Sequence, residues 1–207
     1  MQLQNYYYWF KDAIPHHVCD DIVRYAKSIQ DEMAVTGGLG NRKLNKKEVQ
    51  DLKKKRDSDI VWLNERWIYN AIHPYIHQAN KDANWNFQWD FSESCQFTKY
   101  KKGQYYDWHC DSWDKPYDSP NTPSHGKTRK LSVTLSLSDD KDYSGGELEF
   151  DMRNQDPDKK TNTHVLKEIR SKGSLVVFPS DVWHRVKPVK RGVRHSLVIW
   201  NLGYPFK

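Results

Sequence analysis

The apolar residues of the N-terminal third recur at helical spacing. From Pro15 to Met33 they repeat every three or four residues and are followed by two glycines, which predicts an amphipathic helix. A second pattern of the same period runs from Ile60 to Ala79, and Pro74 inside it is expected to kink or end the helix. The N-terminal part of the chain is therefore expected to be helical.

From about Cys95 the apolar period changes to two. Between Leu131 and Ser138, apolar side chains alternate strictly with serine and threonine, which predicts a strand with one packed face. Further strands are predicted at Gln96–Tyr100, Tyr105–Asp111, Glu147–Phe150, Ser174–Pro179, His184–Val189 and Arg194–Leu202. Many short strands without intervening helices indicate a mainly β fold, a sandwich or jelly roll, buttressed by the N-terminal helices.

Length and loop composition bear on how the chain is organised. A chain of 207 residues fits a single domain, which we divide into a helical support region at 1–94 and a strand-rich core at 95–207. Two loops, Ser112–Lys130 and Asp151–Thr163, are long and polar. Such loops are either functional lids or surface excursions, and composition does not decide between the two.

The formal net charge of +6 is concentrated in one segment. Residues 42–56 contain eight lysines and arginines. A segment this basic raises nucleic acid as a partner, although a solvated loop or helix face is the favoured interpretation.

Cysteine usage and hydropathy favour the cytoplasm. The three cysteines show no paired spacing, so neither a disulfide framework nor a zinc site is predicted. Residues 1–10 lack the basic and apolar regions of a secretion signal, and no apolar stretch approaches the length of a membrane span. We therefore expect a soluble cytoplasmic protein without membrane contacts.

Three residues form a candidate metal site. His109 and Asp111 are two positions apart, so on a strand both side chains leave the same face. About one such tripeptide is expected by chance, so specificity comes from context. That context is His184, which follows an apolar strand and a turn. Two imidazoles and a carboxylate on one face of an octahedron leave three positions open, as in non-haem Fe(II) oxygenases.

Arg194 is a candidate anion-binding residue. It opens a strand on which Arg194, Ser196, Val198 and Trp200 share a face. If that face is interior, the guanidinium needs a partner, and a carboxylate bound through two hydrogen bonds is the best available. An exposed arginine paired with a protein acid is the alternative, and strand alternation alone does not separate the two.

Five linked motifs carry a family resemblance. They are Tyr100-x-x-Gly103-Gln104-Tyr105-Tyr106-Asp107-Trp108-His109-Cys110-Asp111, Arg129-x-Leu131-Ser132, Tyr143-Ser144-Gly145-Gly146-Glu147-Leu148, Gly173-x-Leu175-x-x-Phe178-Pro179-Ser180-x-x-x-His184-x-Val186-x-Pro188-Val189, and Arg194-x-Ser196. In order and spacing they resemble the prolyl 4-hydroxylase-like branch of the 2-oxoglutarate and Fe(II) dioxygenases, including its small bacterial and phage members. The resemblance covers roughly residues 96–202.

The resemblance implies a fold, a site and a set of cofactors. The implied fold is a double-stranded β-helix, a jelly-roll barrel, and the whole chain would form one dioxygenase domain. His109, Asp111 and His184 match the iron ligands, and Arg194 matches the residue that binds the distal carboxylate of 2-oxoglutarate. Tyr100 and Ser196 match positions that assist cosubstrate binding. The implied cofactors are Fe(II), 2-oxoglutarate and O2, with ascorbate as a stimulant.

The implied reaction couples decarboxylation of 2-oxoglutarate to hydroxylation of a C–H bond. A prolyl residue in a protein or peptide is the favoured substrate. One departure concerns the strand from Leu131 to Ser138, which has serine or threonine where oxygen-sensing prolyl hydroxylases have a cosubstrate-binding tyrosine. Two alternatives stay open: a nucleic-acid demethylase-type oxygenase, and a nonenzymatic jelly-roll binding module.

Overall fold

The computed structural model describes residues 5–29, 32–33, 45–112, 115–152 and 162–205. Its helices are α1 at His16–Ser28, α2 at Lys46–Lys55 and α3 at Arg66–Asp82. Among the described residues, no helix is both long enough and apolar enough to cross a membrane.

Most of the strands are short, and most of them lie after residue 94. They are β1 Tyr8–Phe10, β2 Glu32–Met33, β3 Arg56–Asp57, β4 Asp59–Leu63, β5 Phe91–Ser92, β6 Cys95–Tyr100, β7 Tyr105–His109, β8 Thr128–Ser136, β9 Tyr143–Gly145, β10 Leu148–Asp151, β11 Thr163–Val165, β12 Leu175–Pro179, β13 His184–Val186, β14 Val189–Gly192 and β15 Arg194–Gly203.

Two antiparallel sheets form the jelly roll that the sequence predicts. The major sheet has the order β1-β12-β8-β15-β6-β4-β2, with β5 paired to β15, and the minor sheet has the order β11-β10-β13-β7-β3. A separate pair, β14 and β9, carries the connection between them. The strands of the first 94 residues pair within these sheets, so this region contributes strands as well as helices.

Helices α1 and α3 cover the outer face of the major sheet. Isoleucines of α1 and α3 pack with apolar residues of β6, β8 and β15 in one buried cluster, which includes Ile22, Ile68, Ile72, Ile76, Phe97, Leu135 and Leu197. Burial of these side chains contributes about 1.5–3 kcal/mol each. The cluster therefore fixes the major sheet from behind.

A second cluster lies between the two sheets. It joins Tyr100 and Phe178 of the major sheet to Phe150 and Val186 of the minor sheet. The polar residues of β8 also face inward, because Ser132 is fully buried and Thr134 and Ser136 are nearly so. Both faces of β8 are thus packed, whereas alternation predicts only one.

The N-terminal predictions need correction at two places. The first helix ends at Ser28 instead of Met33, because Ile29 is extended and Met33 lies in β2, which pairs with β4. The stretch Ile60–Leu63 is a strand instead of the start of a helix. This short β-branched run pairs with β6, and pairing outweighs its helical spacing.

Proline acts differently at two positions. Pro74 lies inside α3, which continues to Asp82, so of the two expected effects, a kink or an end of the helix, the end does not occur. Ile68, Ile72 and Ile76 are fully buried on both sides of it, and their packing offsets the lost backbone hydrogen bond. Pro188, by contrast, separates β13 from β14, which the sequence predicts as one strand.

Gly145→Ala is expected to lower the free energy of unfolding by at least about 3 kcal/mol, whereas Gly103→Ala should cost about 1 kcal/mol. Both glycines have positive φ, +73° and +86°. A Cβ on Gly145 would lie 2.4 Å from the carbonyl oxygen of Pro188, but nothing lies within 4 Å of one on Gly103. Urea denaturation of both variants measures the difference, and equal losses would contradict the steric argument.

Candidate active site

The fold brings the three predicted metal ligands together. His109 ends β7, His184 begins β13, and the two residues stand opposite each other in the pairing of these strands. Asp111 follows β7, where its backbone N–H donates to the carbonyl of Ser180 at 2.8 Å. One side-chain ligand atom from each of the three lies within 4.8 Å of the others.

Backbone carbonyls determine which imidazole nitrogen is free. Nδ1 of His109 lies 2.7 Å from the carbonyl oxygen of Asp107, and Nδ1 of His184 lies 3.0 Å from that of Val182. A carbonyl oxygen only accepts, so each Nδ1 carries the proton and each Nε2 presents a lone pair. The Nε2 atoms lie 3.8 and 3.6 Å from the carboxylate oxygens of Asp111. Both rings are oriented as metal ligands are.

The protonation states also suit a cation. Burial and the neighbouring His184 ring lower the pKa of His109 to about 3, so this ring is neutral near pH 7. Burial favours a raised pKa for Asp111, but the two histidines and the charge of Arg129 lower that pKa below its ordinary value. Oδ2 of Asp111 is buried and has no hydrogen-bond partner in the part of the chain that the structure describes. A buried carboxylate oxygen in this state is stabilised by a bound cation.

Aromatic side chains form the wall around the ligands. The His184 ring lies 4.8 Å from the Phe178 ring, and the His109 ring stacks on Tyr106 with centroids 3.5 Å apart. These contacts restrict ring rotation and keep the two imidazoles dry. The two imidazoles and the carboxylate can therefore hold a divalent cation with further positions open to small molecules.

All six predicted site residues line one pocket. Its walls include Tyr100, His109, Asp111, His184, Arg194 and Ser196, together with Arg56, Gln96, Tyr106, Thr134, Leu148, Val186, Val198 and Trp200. Thr134 is the β8 residue of this wall, so β8 presents a threonine to the pocket.

Arg194 is buried on the inner face of the major sheet, at 3% exposure. Its Nη1 donates to the hydroxyl of Ser196 at 3.2 Å, and its guanidinium lies 5.5 Å from the ring centre of Tyr100, the residue opposite it on β6. In the part of the chain that the structure describes, no acidic side chain pairs with it. The exposed, acid-paired alternative is therefore wrong, and the guanidinium is available to an anion in the pocket.

A second arginine near the ligands is already neutralised. Arg129 donates from Nε and Nη2 to the carboxylate of Glu93 at 3.0 and 2.5 Å, and its guanidinium lies 3.9 Å from the ring centre of Trp200. The hydroxyl of Tyr117 donates to the same carboxylate at 2.8 Å, which ties the Ser112–Lys130 loop to the barrel. Part of this loop is thus anchored beside the pocket.

Residues 42–44 of the basic segment at 42–56 lie outside the described residues. The remainder of the segment divides into two environments. Lys53 and Lys54 of α2 are exposed and pair with Asp57 and Asp51, as expected of a solvated helix face. Arg56 differs, because it is 5% exposed and lines the pocket. Sequence patterns alone did not single out this residue. The available signal was its spacing, since Arg56, Ser58 and Ile60 alternate with more polar neighbours and all three are buried.

Similar proteins share this fold or part of this sequence. A PKHD-type hydroxylase from Synechococcus sp. (strain CC9902) is 38% identical over 103 residues, which are 49% of this chain and 38% of that protein. The chain therefore matches well under half the length of this curated relative. A prolyl-4-hydroxylase from Pseudomonas putida superposes with a TM-score of 0.64 at 19% identity, covering 96% of this chain and 92% of that one.

A second solved structure is the viral collagen prolyl hydroxylase of Paramecium bursaria Chlorella virus-1 in complex with 2-oxoglutarate. It has a TM-score of 0.63 at 18% identity and covers 97% of each chain. At these identities the two structures show the fold, the double-stranded β-helix that the sequence predicts. The model of the 2OG-Fe(II) oxygenase superfamily matches residues 95–201, which include the three candidate ligands and Arg194. This chain belongs to the 2OG-Fe(II) oxygenase superfamily.

Proposed function

We propose that this chain is an Fe(II)- and 2-oxoglutarate-dependent hydroxylase whose favoured substrate is a prolyl residue in a protein or peptide. The observation that carries the proposal is the pairing of a His-Asp-His cluster with an acid-free buried arginine, Arg194, in one pocket. Strands from both halves of the chain build the sheets, which supports a single domain spanning residues 1–207.

The residues present fit the iron that the family implies. His109, Asp111 and His184 would hold it, since two imidazoles and one carboxylate suit Fe(II) and leave positions open. Among the described residues, Oδ2 of Asp111 has no hydrogen-bond partner. When bound, iron and 2-oxoglutarate together activate O2 for insertion of one oxygen atom into a C–H bond. The chain's own contribution is to bind, orient and exclude water.

The remaining pocket residues suit the cosubstrate and an apolar substrate group. Arg194, held by Ser196 and stacked near Tyr100, would bind the distal carboxylate of 2-oxoglutarate. Leu148, Val186, Val198 and the Tyr106 and Trp200 rings form an apolar wall against which a prolyl ring can pack. The two structural neighbours described above are prolyl hydroxylases, which favours the same substrate class.

Arg194→Gln is expected to raise the Kd for 2-oxoglutarate about tenfold to hundredfold. The substitution removes a charge-assisted hydrogen-bonded pair worth about 1.5–3 kcal/mol. Anaerobic calorimetry on Fe(II)-loaded protein measures the Kd. Arg24→Gln is the matched control, because the Arg24 side chain is 76% exposed and Arg24 lies on α1, far from Arg194 in the sequence.

The activity itself is tested by succinate formation and by a mass increase of one oxygen atom in prolyl peptides. Succinate that depends on iron and 2-oxoglutarate supports the oxygenase. The nonenzymatic binding module instead predicts no succinate and no joint binding of iron and 2-oxoglutarate. The nucleic-acid alternative predicts oxidation of methylated oligonucleotides, and none of the relatives described above is named for that substrate.

A further inference from the structure

Arg56 is a buried cation that the proposed roles leave unexplained. It lies on β3 opposite Tyr106 of β7 and is 5% exposed. Its Nε donates to Ser58 Oγ at 3.0 Å and its Nη1 to Gln96 Oε1 at 3.4 Å. Its Nη2 is buried and has no hydrogen-bond partner among the described residues. One nitrogen of the guanidinium, with two N–H donors, is therefore unused in a residue that lines the pocket.

No acid of the described residues neutralises Arg56. The nearest carboxylates along the chain have other partners: Asp57 pairs with Lys53 and accepts from Gln104, and Asp59 pairs with Lys101 at 2.9 Å. Arg129 shows the contrast, since Glu93 accepts two of its hydrogen bonds. A buried charge without a partner is costly, and an unused donor adds to the cost.

Arg56 is also close to the candidate metal ligands. Its guanidinium carbon lies 4.6 Å from the centre of the Tyr106 ring, and the His109 ring lies 3.5 Å from the same centre. The guanidinium can therefore be no farther from the His109 ring than the sum of these two distances. An anion bound to Nη2 would therefore lie near the three candidate metal ligands, which line the same pocket as Arg56.

We propose that Arg56 binds a carboxylate of the prime substrate, an inference that rests on the proposed oxygenase function. Under that function one carboxylate of 2-oxoglutarate meets Arg194 and the other meets iron, so neither remains for Arg56. Arginine recognises carboxylates through paired, charge-assisted hydrogen bonds, and the neutral carbonyl of an internal residue neutralises no charge. The reacting residue is thus a free or C-terminal amino acid, or has an acidic neighbour.

Matched probe pairs test this on anaerobic protein loaded with Fe(II) and 2-oxoglutarate, where no turnover occurs. The pairs are acetate and acetamide, N-acetyl-L-proline and N-acetyl-L-prolinamide, and the blocked tripeptide amides Asp-Pro-Gly and Asn-Pro-Gly. Calorimetry measures the Kd of each. We expect the carboxylate of at least one pair to bind about tenfold more tightly or better. The second pair reports a terminal carboxylate and the third an acidic side chain.

Two variants assign that preference to the residue. Arg56→Gln and Arg56→Met should both abolish it, while Arg24→Gln should keep it. Binding of iron and 2-oxoglutarate with wild-type Kd in the same samples shows that each variant is folded. If Arg56→Gln weakens the binding of 2-oxoglutarate as strongly as Arg194→Gln does, Arg56 binds the cosubstrate and the inference is wrong.

The remaining outcomes separate the inference from the proposed function. No carboxylate preference in any pair, or a preference that survives both Arg56 variants, would overturn the role of Arg56 while iron and 2-oxoglutarate binding upholds the oxygenase. Failure of the wild-type protein to bind iron and 2-oxoglutarate would contradict both the role of Arg56 and the proposed oxygenase function.

Discussion

Asp111→Asn is expected to weaken Fe(II) binding by more than about a hundredfold and to abolish iron-dependent succinate formation. Loss of residues that merely support metal ligands costs about 10–100-fold in affinity, so loss of the anionic ligand should exceed that range. The variant removes the negative charge between the two Nε2 atoms. It keeps the shape of the side chain, so a folding defect is not expected.

Thermal unfolding with and without Fe(II), under anaerobic conditions, provides a reading that does not depend on turnover. A ligand at a hundred times its Kd stabilises the folded state by about 2.7 kcal/mol. Iron should therefore raise the Tm of the wild-type protein and leave that of Asp111→Asn unchanged. Asp107→Asn is the matched control, since Asp107 is exposed on β7 and contributes only its backbone carbonyl to His109. Equal iron-induced shifts in wild type and Asp111→Asn would exclude Asp111 as a ligand.

Glu93→Ala is expected to lower the free energy of unfolding by about 3–5 kcal/mol. The substitution removes the Glu93 carboxylate from the buried Arg129 guanidinium and from the hydroxyl of Tyr117. The Arg129 and Glu93 side chains are 12% and 18% exposed, so water cannot replace the lost partner fully. Urea denaturation monitored by tryptophan fluorescence measures the change.

The comparison is Asp21→Ala, which breaks an exposed ion pair with Arg24. Surface pairs of this kind contribute about 0–1 kcal/mol, so this variant should lose little stability. If the two variants lose similar amounts, the Glu93–Arg129 pair is not a buried anchor. Glu93→Ala should also loosen the Ser112–Lys130 loop, which limited proteolysis can detect.

The metal cluster was predictable because strand alternation and turn signals limit where His109, Asp111 and His184 can lie. Alternation likewise placed Arg194 and Ser196 on one face, which the structure shows to be interior. A single sequence does not contain the register of β7 against β13, however. That register, with a bulge between the paired positions, determines that the two histidines stand opposite each other.

The misses arise where tertiary pairing outweighs local pattern. Ile60–Leu63 has helical spacing with its downstream neighbours, yet hydrogen bonding to β6 makes it a strand. Arg56 looks like the last residue of a solvated basic run, because composition cannot show that α2 ends immediately before it and that the chain then enters the barrel. Its role depends on Ser58, Gln96 and Tyr106, and only the fold brings Gln96 and Tyr106 to it.

The two candidate ligand histidines and Arg194 lie on different sheets. His109 and His184 lie on the minor sheet, whereas Arg194 and Ser196 lie on β15 of the major sheet, packed from behind by α1 and α3. Under the proposed function, mutations on β15 would therefore alter which 2-oxo acid is accepted without displacing the histidines. In evolutionary terms the two requirements would be separable, so an ancestral protein could change its cosubstrate while retaining its metal, and protein engineers could follow the same route.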